Sequence, residues 1–395
     1  MKQLTGLIVI SLTFLAAATW SQRPSAKNTP YTELGHFKGG HWAEACGIND
    51  AGIVVGFGDN SKGYTRPLYV PSIGPNTGKW VDLGTLGGER TDTEVMAMGV
   101  SDTGMIVGHT EISDNTTIHA FAWTPDTGMF DIGALGGSNS SSYYSAASNT
   151  NHLGSLITGW SGNGFFGHDG VTTTPVVWTA SPQWDGRKLV TVWTIQQLDT
   201  KEFESEAQWA VEAANDFGQL VGLSVNPNAG PYGLDFPMMW TPLPGGKGWR
   251  VSQLPIPAGF DQAGASDINE KGEIAGWVAL KDWSNWFPVV WKPTNVLRTA
   301  YTYVLLASLT GTVQDENSGG AEAWGINDLG DVVGDSLDAN GNDVATVWNL
   351  KTPNSVQSLG LPDAWNVVKV NDLRLVVATS ALDGTNENVV TVQLH

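Results

Sequence analysis

Cysteine is nearly absent from this chain. Cys46 is the only one in 395 residues, so no intramolecular disulfide can form and the fold must rest on its own core. Basic residues are scarce too: 20 Lys and Arg against 39 Asp and Glu give a formal net charge of -19. That balance argues against nucleic acid and anionic lipid as partners, and it leaves cations and basic ligands open. Long apolar runs are missing except at the start, where Leu7 to Ala18 is shorter than the roughly 20 residues a membrane span needs. With Lys2 before it and small residues after it, this run reads as a secretory signal peptide over residues 1–21, cut after Ala18 or Ser21. The expectation is an exported protein, periplasmic or extracellular, without membrane insertion, whose domain spans residues 22–395.

What is abundant is Gly (48) and Trp (18), while charged residues make up only 15%. A disordered chain lacks such Trp, and a helical one does not carry so much Gly. The composition suits an all-β protein with many turns.

One motif recurs. The segments 47-GINDAGIVVG-56, 99-GVSDTGMIVG-108, 267-DINEKGEIAG-276 and 325-GINDLGDVVG-334 are near copies of each other. Aligned on the Asn, the copies start at Asn49, Ser101, Asn151, Asn215, Asn269, Asn327 and Asn371. Gly follows three residues later in six of them, and Arg374 takes its place in the seventh. Asn and Asp open a tight turn by bonding back to the backbone, and Gly supplies the positive φ that closes it. Apolar residues on both sides then pair as an antiparallel hairpin. By this reading Arg374 marks a degenerate copy that tolerates change.

Each turn is followed by a strand ending in Trp, as in 119-HAFAW-123, 174-TPVVW-178, 236-FPMMW-240, 287-FPVVW-291 and 344-VATVW-348. A Trp kept in register is a core pattern. A third signature follows, as in 80-WVDLGTLGG-88 and 129-MFDIGALGG-137. It occurs six times after a Trp-type strand. The seventh lies at the opposite end of the chain, in 31-YTELGHFKGG-40. Units of about this length with four short strands each are propeller blades. The expectation is a seven-bladed β-propeller, monomeric, its ring closed by the N-terminal strand completing the last blade.

The units LGTLGG, GVSDTGMIVG and HAFAW resemble the extracellular HAF-repeat family, whose tripeptide stands here at 119–121. The second copy carries the full pattern, and the later copies keep less of it. The resemblance implies an exported repeat protein and no defined catalytic residues.

With strands named A to D in each blade, A–B and C–D turns fall on one face and B–C and D–A loops on the other. The long loops all belong to the second face, which is where function is expected. Just before or within the A strands stand His41, Trp42, Glu44, Glu94, Tyr143, Tyr144, Gln208, Trp209, Glu322, Trp324 and Trp365. If A is innermost, these ring the channel mouth. Aromatics beside carboxylates and amides suit sugar stacking with hydrogen bonds to hydroxyls, or else simply cap the core between blades.

Sharper motifs fail. The string 162-GNGFFG-167 has no helix after it, and 159-GWSGN-163 lacks the second Gly of a nucleophile elbow. Asp338, Asn340 and Asn342 have EF-hand spacing, but Asp343 and Asn349 stand where Gly and Glu belong, so no cofactor is expected beyond an incomplete Ca²⁺ loop. His119 reads as structural, and only His41 and His168 are placed for acid–base work. The reading is a binding module for an extracellular glycan or protein. The alternative is a polysaccharide-active lyase or glycoside hydrolase using His41, Tyr143, Tyr144, Glu44 and Glu322.

Overall fold

The computed structural model describes residues 31–88, 95–137, 143–168, 170–184, 186–201, 203, 208–229, 233–312, 319–361, 364–380 and 387–395. The signal-peptide reading, Glu94 and the side chain of Trp365 lie outside this set.

Every element among the described residues is a strand. The strands form seven sheets of four, each an antiparallel A-B-C-D meander. The last sheet takes Ala364–Val370, Leu375–Ser380 and Asn388–Gln393 from the C-terminal end and Tyr31–Gly35 from the N-terminal end. The A strands touch A strands of both neighbouring blades, so A is innermost and the ring is closed. The chain is a seven-bladed β-propeller.

The core is divided by this geometry. Seven apolar clusters lie one at each blade–blade junction, from Val55 with Ile106 and Phe121 between blades 1 and 2, to Leu34, Val54 and Val377 between blades 7 and 1. Trp178, Trp240 and Trp291 are fully buried and Trp348 nearly so, as a core position requires. Three of them also tie blades together: the Nε1 of Trp240, Trp291 and Trp348 donates to Asp199 O, Pro255 O and Ala307 O of the preceding blade. Trp123 is only half-buried and leans on Tyr69.

The repeated turn is built as its residues demand. Asn327 N donates to Asp331 O at 3.1 Å, Gly330 N to Asn327 O at 3.1 Å, and Gly330 has φ 81°. The seventh copy corrects the expectation for Arg374. It takes the same left-handed conformation at φ 64°, and its guanidinium binds the Asp331 carboxylate at 2.7 Å. Arg374 is therefore a blade 6–7 tie set in a strained conformation, not a tolerant position.

Each A strand also carries a β-bulge three residues before its turn Asn, at Cys46, Met98, Ser148, Glu212, Ser266, Trp324 and Val368. A bulge leaves one residue unpaired and adds twist. All seven of these residues are half-buried, and five of them stand between fully buried neighbours. One residue on, the A strands come close together: a Cβ at Gly325 would lie 2.9 Å from Lys369 Cα, so only Gly fits there.

Candidate functional site

On the loop face, the residues singled out from sequence form local clusters. His41 Nδ1 meets Asp59 Oδ2 at 2.7 Å, while Asp59 Oδ1 accepts the N–H groups of His41 and Trp42. Burial pushes the Asp59 carboxyl up, but these hydrogen bonds outweigh it and hold it below its usual range. The His41 side chain is 74% exposed, so one ring nitrogen is oriented and the imidazole faces solvent. Trp42 packs edge-on against Phe57. Glu44 is buried and hydrogen-bonded to Glu387, whose own carboxyl is raised by burial.

Gln208 clamps the blade 3 loop, accepting from Gly167 N at 2.8 Å and donating to His168 O at 2.9 Å. Trp209 is a core residue, 3% exposed and packed on Trp240. Tyr144 donates its hydroxyl to Thr116 O, and Tyr143 is exposed. His168 is exposed, and His119 is buried with Nδ1 2.8 Å from Asp131 Oδ2, a structural contact. Asp338 Oδ1 already accepts the N–H groups of Asn340 and Asn342, which is a turn built on itself.

Glu322 and Trp324 do converge, on Asp335. Glu322 lies opposite Asp335 in the A–B pairing, and the Trp324 side chain hydrogen-bonds the Asp335 carboxylate. Burial, then the Asp335 and Asp343 charges, push Glu322 up to about 8. Burial likewise takes Asp335 to about 7 and Glu212, against the pull of Lys369, to about 7.

These shifts have a testable consequence. Glu322, Asp335 and Glu212 keep protons in the folded chain at pH values where unfolded carboxyls, near 4, have lost them. The folded state thus binds more protons up to about pH 8, and stability falls as pH rises through that window. His152, held up at about 9 chiefly by its Asp102 hydrogen bond, adds stability that is likewise lost as pH rises through 9. Buried His109, which has no hydrogen-bond partner at either ring nitrogen and is pushed down to about 4 by desolvation, opposes the trend only below about 6.5. Melting should therefore occur at lower temperature near pH 8.5 than near pH 6.5. Glu322→Gln should flatten the difference, and a rise in melting temperature over the same interval would contradict the assignment.

The turn face holds contacts between blades that the sequence did not signal. Each turn Asn reaches the next blade: Nδ2 of Asn49, Asn215, Asn269, Asn327 and Asn371 donates to the backbone O of Ser101, Asn269, Asn327, Asn371 and Asn49. Asn151 reaches Asp216 Oδ1, and Asp102 N donates to His152 O where Ser101 has no amide. The belt thus closes through all seven blades. The acidic residue after each Asn joins it, since Asp50 N, Glu270 N, Asp328 N and Asp372 N donate to carboxylates of Asp102, Asp328, Asp372 and Asp50 at 2.7–2.9 Å. Six carboxylates and His152 therefore ring the channel mouth.

Within this ring lies a cavity of about 70 Å³, lined by Asp50, Asp102, His152, Asp328 and Asp372 among others. Burial and the neighbouring Asp328 and Asp50 charges raise Asp372, and Glu270 is raised by burial and by Asp216 and Asp328. Asp102 is held low, chiefly by its bond from His152. Ligand atoms of Asp50, Asp102 and His152 lie within 4.8 Å of one another, the one grouping among the described residues with metal-ligand chemistry. Its imidazole is already bound to Asp102 at 2.9 Å.

Around the mouth stand the third residues of the turns. Leu153, Phe217, Leu329 and Leu373 are 61%, 61%, 50% and 59% exposed. Ile73, Trp184, Val296 and Leu297 add exposed apolar groups from C–D turns on the same face. Among the described residues, Tyr143 is the only exposed large apolar group on the loop face. The signal was present in the motif as a large apolar residue at an exposed turn tip.

No protein-family model matches the chain, and no curated protein matches it. Solved structures similar in fold include TolB from Acinetobacter baumannii (9% identity, TM-score 0.42), covering 87% of this chain and 64% of that one. The six-bladed Aleuria aurantia fucose lectin (12%, TM-score 0.36) covers 82% of this chain and all of its own length, and the Trypanosoma rangeli sialidase (13%, TM-score 0.40) covers 93% and 60%. This chain therefore spans less than two thirds of the TolB and sialidase chains. Likeness at this level concerns the fold alone.

Proposed function

We propose that this chain is an exported binding module that holds a protein ligand against its turn face. One observation carries the reading: four of the seven turn tips around the mouth are large, apolar and exposed, where Ala51, Thr103 and Lys271 occupy the other three. Phe217 carries the Arg298 guanidinium on its ring at 4.2 Å, but a tight-turn tip gains nothing in folding from an exposed Leu, and exposed apolar groups gathered on one face mark an interaction site. The rigid ring beneath presents the tips with little entropy left to lose on binding.

The loop-face alternatives retain one favourable feature, the Asp59-oriented His41, which suits either a glycan hydroxyl contact or a polysaccharide-cleaving base. Both readings can be set against the turn face in one experiment. Random displayed peptides are selected on the immobilised protein, and the enriched ones are titrated against variants. Leu329→Ser with Leu373→Ser should weaken them about tenfold or more, as removal of two apolar anchors implies. Trp42→Ala and Trp324→Ala should leave them unchanged. The turn-face reading fails if only the loop-face variants lose binding. It fails equally if no peptide is enriched while uronic-acid polysaccharides are bound or cut in a His41-dependent way.

A further inference from the structure

We propose that the acidic mouth receives one cationic side chain of the docked protein, a lysine or arginine, while apolar neighbours of that residue rest on the surrounding turn tips. The inference rests on the turn-face reading and names the chemistry of its partner.

Charge complementarity is the first argument. Asp50, Asp102, Asp216, Glu270, Asp328 and Asp372 stand one per blade, and against them stand His152 in the ring and Lys369, which also lines the cavity together with its partner Asp267. Lys271 donates to the backbone O of Asp328 from the exposed rim, and the Lys369 charge is matched by Asp267 at 2.5 Å, so it does not offset the ring. The ring therefore keeps an unbalanced negative charge inside a low-dielectric wall, which focuses its field on the opening. An anionic or neutral partner gains nothing there.

Preorganisation is the second. Asp50, Asp328 and Asp372 each have Oδ1 held by a backbone N–H of the adjacent turn, from Asp372, Glu270 and Asp328. Each bond fixes the orientation of its carboxylate at the half-buried mouth. A carboxylate has about four acceptor sites, so one bound N–H leaves capacity for an incoming donor. Fixed acceptors of this kind lower the ordering cost of binding.

Size is the third. A cavity of about 70 Å³ holds a few waters, or one ammonium or guanidinium head, and no larger charged group. The exposed tips of Leu153, Leu329 and Leu373 each follow a cavity-lining residue, His152, Asp328 and Asp372, so a cation flanked by apolar residues meets both features at once. A resident metal ion fits less well, because Asp102 is already engaged by His152.

The test uses the folded chain and two synthetic probes, an acetylated and amidated leucine–lysine–leucine peptide and the same peptide with glutamine for lysine. Backbone amide shifts of Asp328 and Asp372 are followed during titration. The lysine probe should shift both and bind about tenfold tighter than the glutamine probe, the worth of one charge-assisted hydrogen bond. Its affinity should fall with added salt. Asp328→Asn with Asp372→Asn keeps both N–H acceptors and removes two charges, and should bring the lysine probe down to the glutamine level. Equal binding of the two probes, or no shift at the mouth at millimolar lysine probe, overturns the inference. If binding is equal but weakened by Leu329→Ser with Leu373→Ser, the docking surface stands and only its charged anchor is lost.

Discussion

A chain lacking residues 31–40 is expected to aggregate, or to melt far below the intact protein. Tyr31–Gly35 is the outer strand of blade 7, paired antiparallel with Asn388–Gln393 from Tyr31 opposite Val392 to Gly35 opposite Val389. Without it, the row of N–H and C=O groups on Asn388–Gln393 becomes an exposed edge open to pairing with other chains. Leu34 also leaves the cluster it shares with Ala43, Val54, Val377 and Val389, so the one junction between the two ends of the ring loses part of its core. The Trp80 indole loses its acceptor, the Leu34 carbonyl at 2.7 Å. Light scattering behind a size-exclusion column and calorimetry measure both consequences. A truncated chain that stays monomeric with an unchanged melting temperature would show that the strand does not close the ring.

Asn371→Ala should be markedly destabilising, at on the order of 2 kcal/mol in denaturant titration, because Leu375 N loses its side-chain acceptor and the bond across to Asn49 O is removed. Asn371 is nearly buried. Its Nδ2 donates to Asn49 O at 2.9 Å, across the joint between last and first blades, and its Oδ1 accepts Leu375 N at 2.8 Å. Ser101 is the internal control. Its Oγ accepts Met105 N at 3.1 Å, so it serves the local turn but has no amide to send across to blade 3. Ser101→Ala should therefore cost clearly less. Equal losses at the two positions would mean that the reach to the next blade adds nothing, and that the motif is only a turn.

The proposed docking surface was half-legible. Leu153, Phe217, Leu329 and Leu373 were visible in the repeat, but their neighbours in sequence said only that they sit at turn tips. The role proposed for them comes from standing on one face around one opening, which is a property of the ring. The loop-face residues show the converse. Gln208 and Trp209 looked like pocket residues because they precede an A strand, yet one clamps a loop and the other fills a junction. Arg374 looked like a lost glycine. The Asp331 carboxylate that holds it lies 43 residues away, in a different blade.

The sequence by itself determined the strands, the turns, the count of seven and the closing role of residues 31–35. All of these follow from local chemistry: Asn and Asp bonding their own backbone, Gly accepting positive φ, Trp recurring in register, and one signature missing at one end and present at the other. Only the tertiary structure decided which groups face each other across blades. The Asn belt, the carboxylate ring and the raised Glu322 and Asp335 depend on distances between residues far apart in the chain, and hydrogen bonds and charge interactions act through those distances and through burial rather than through sequence order.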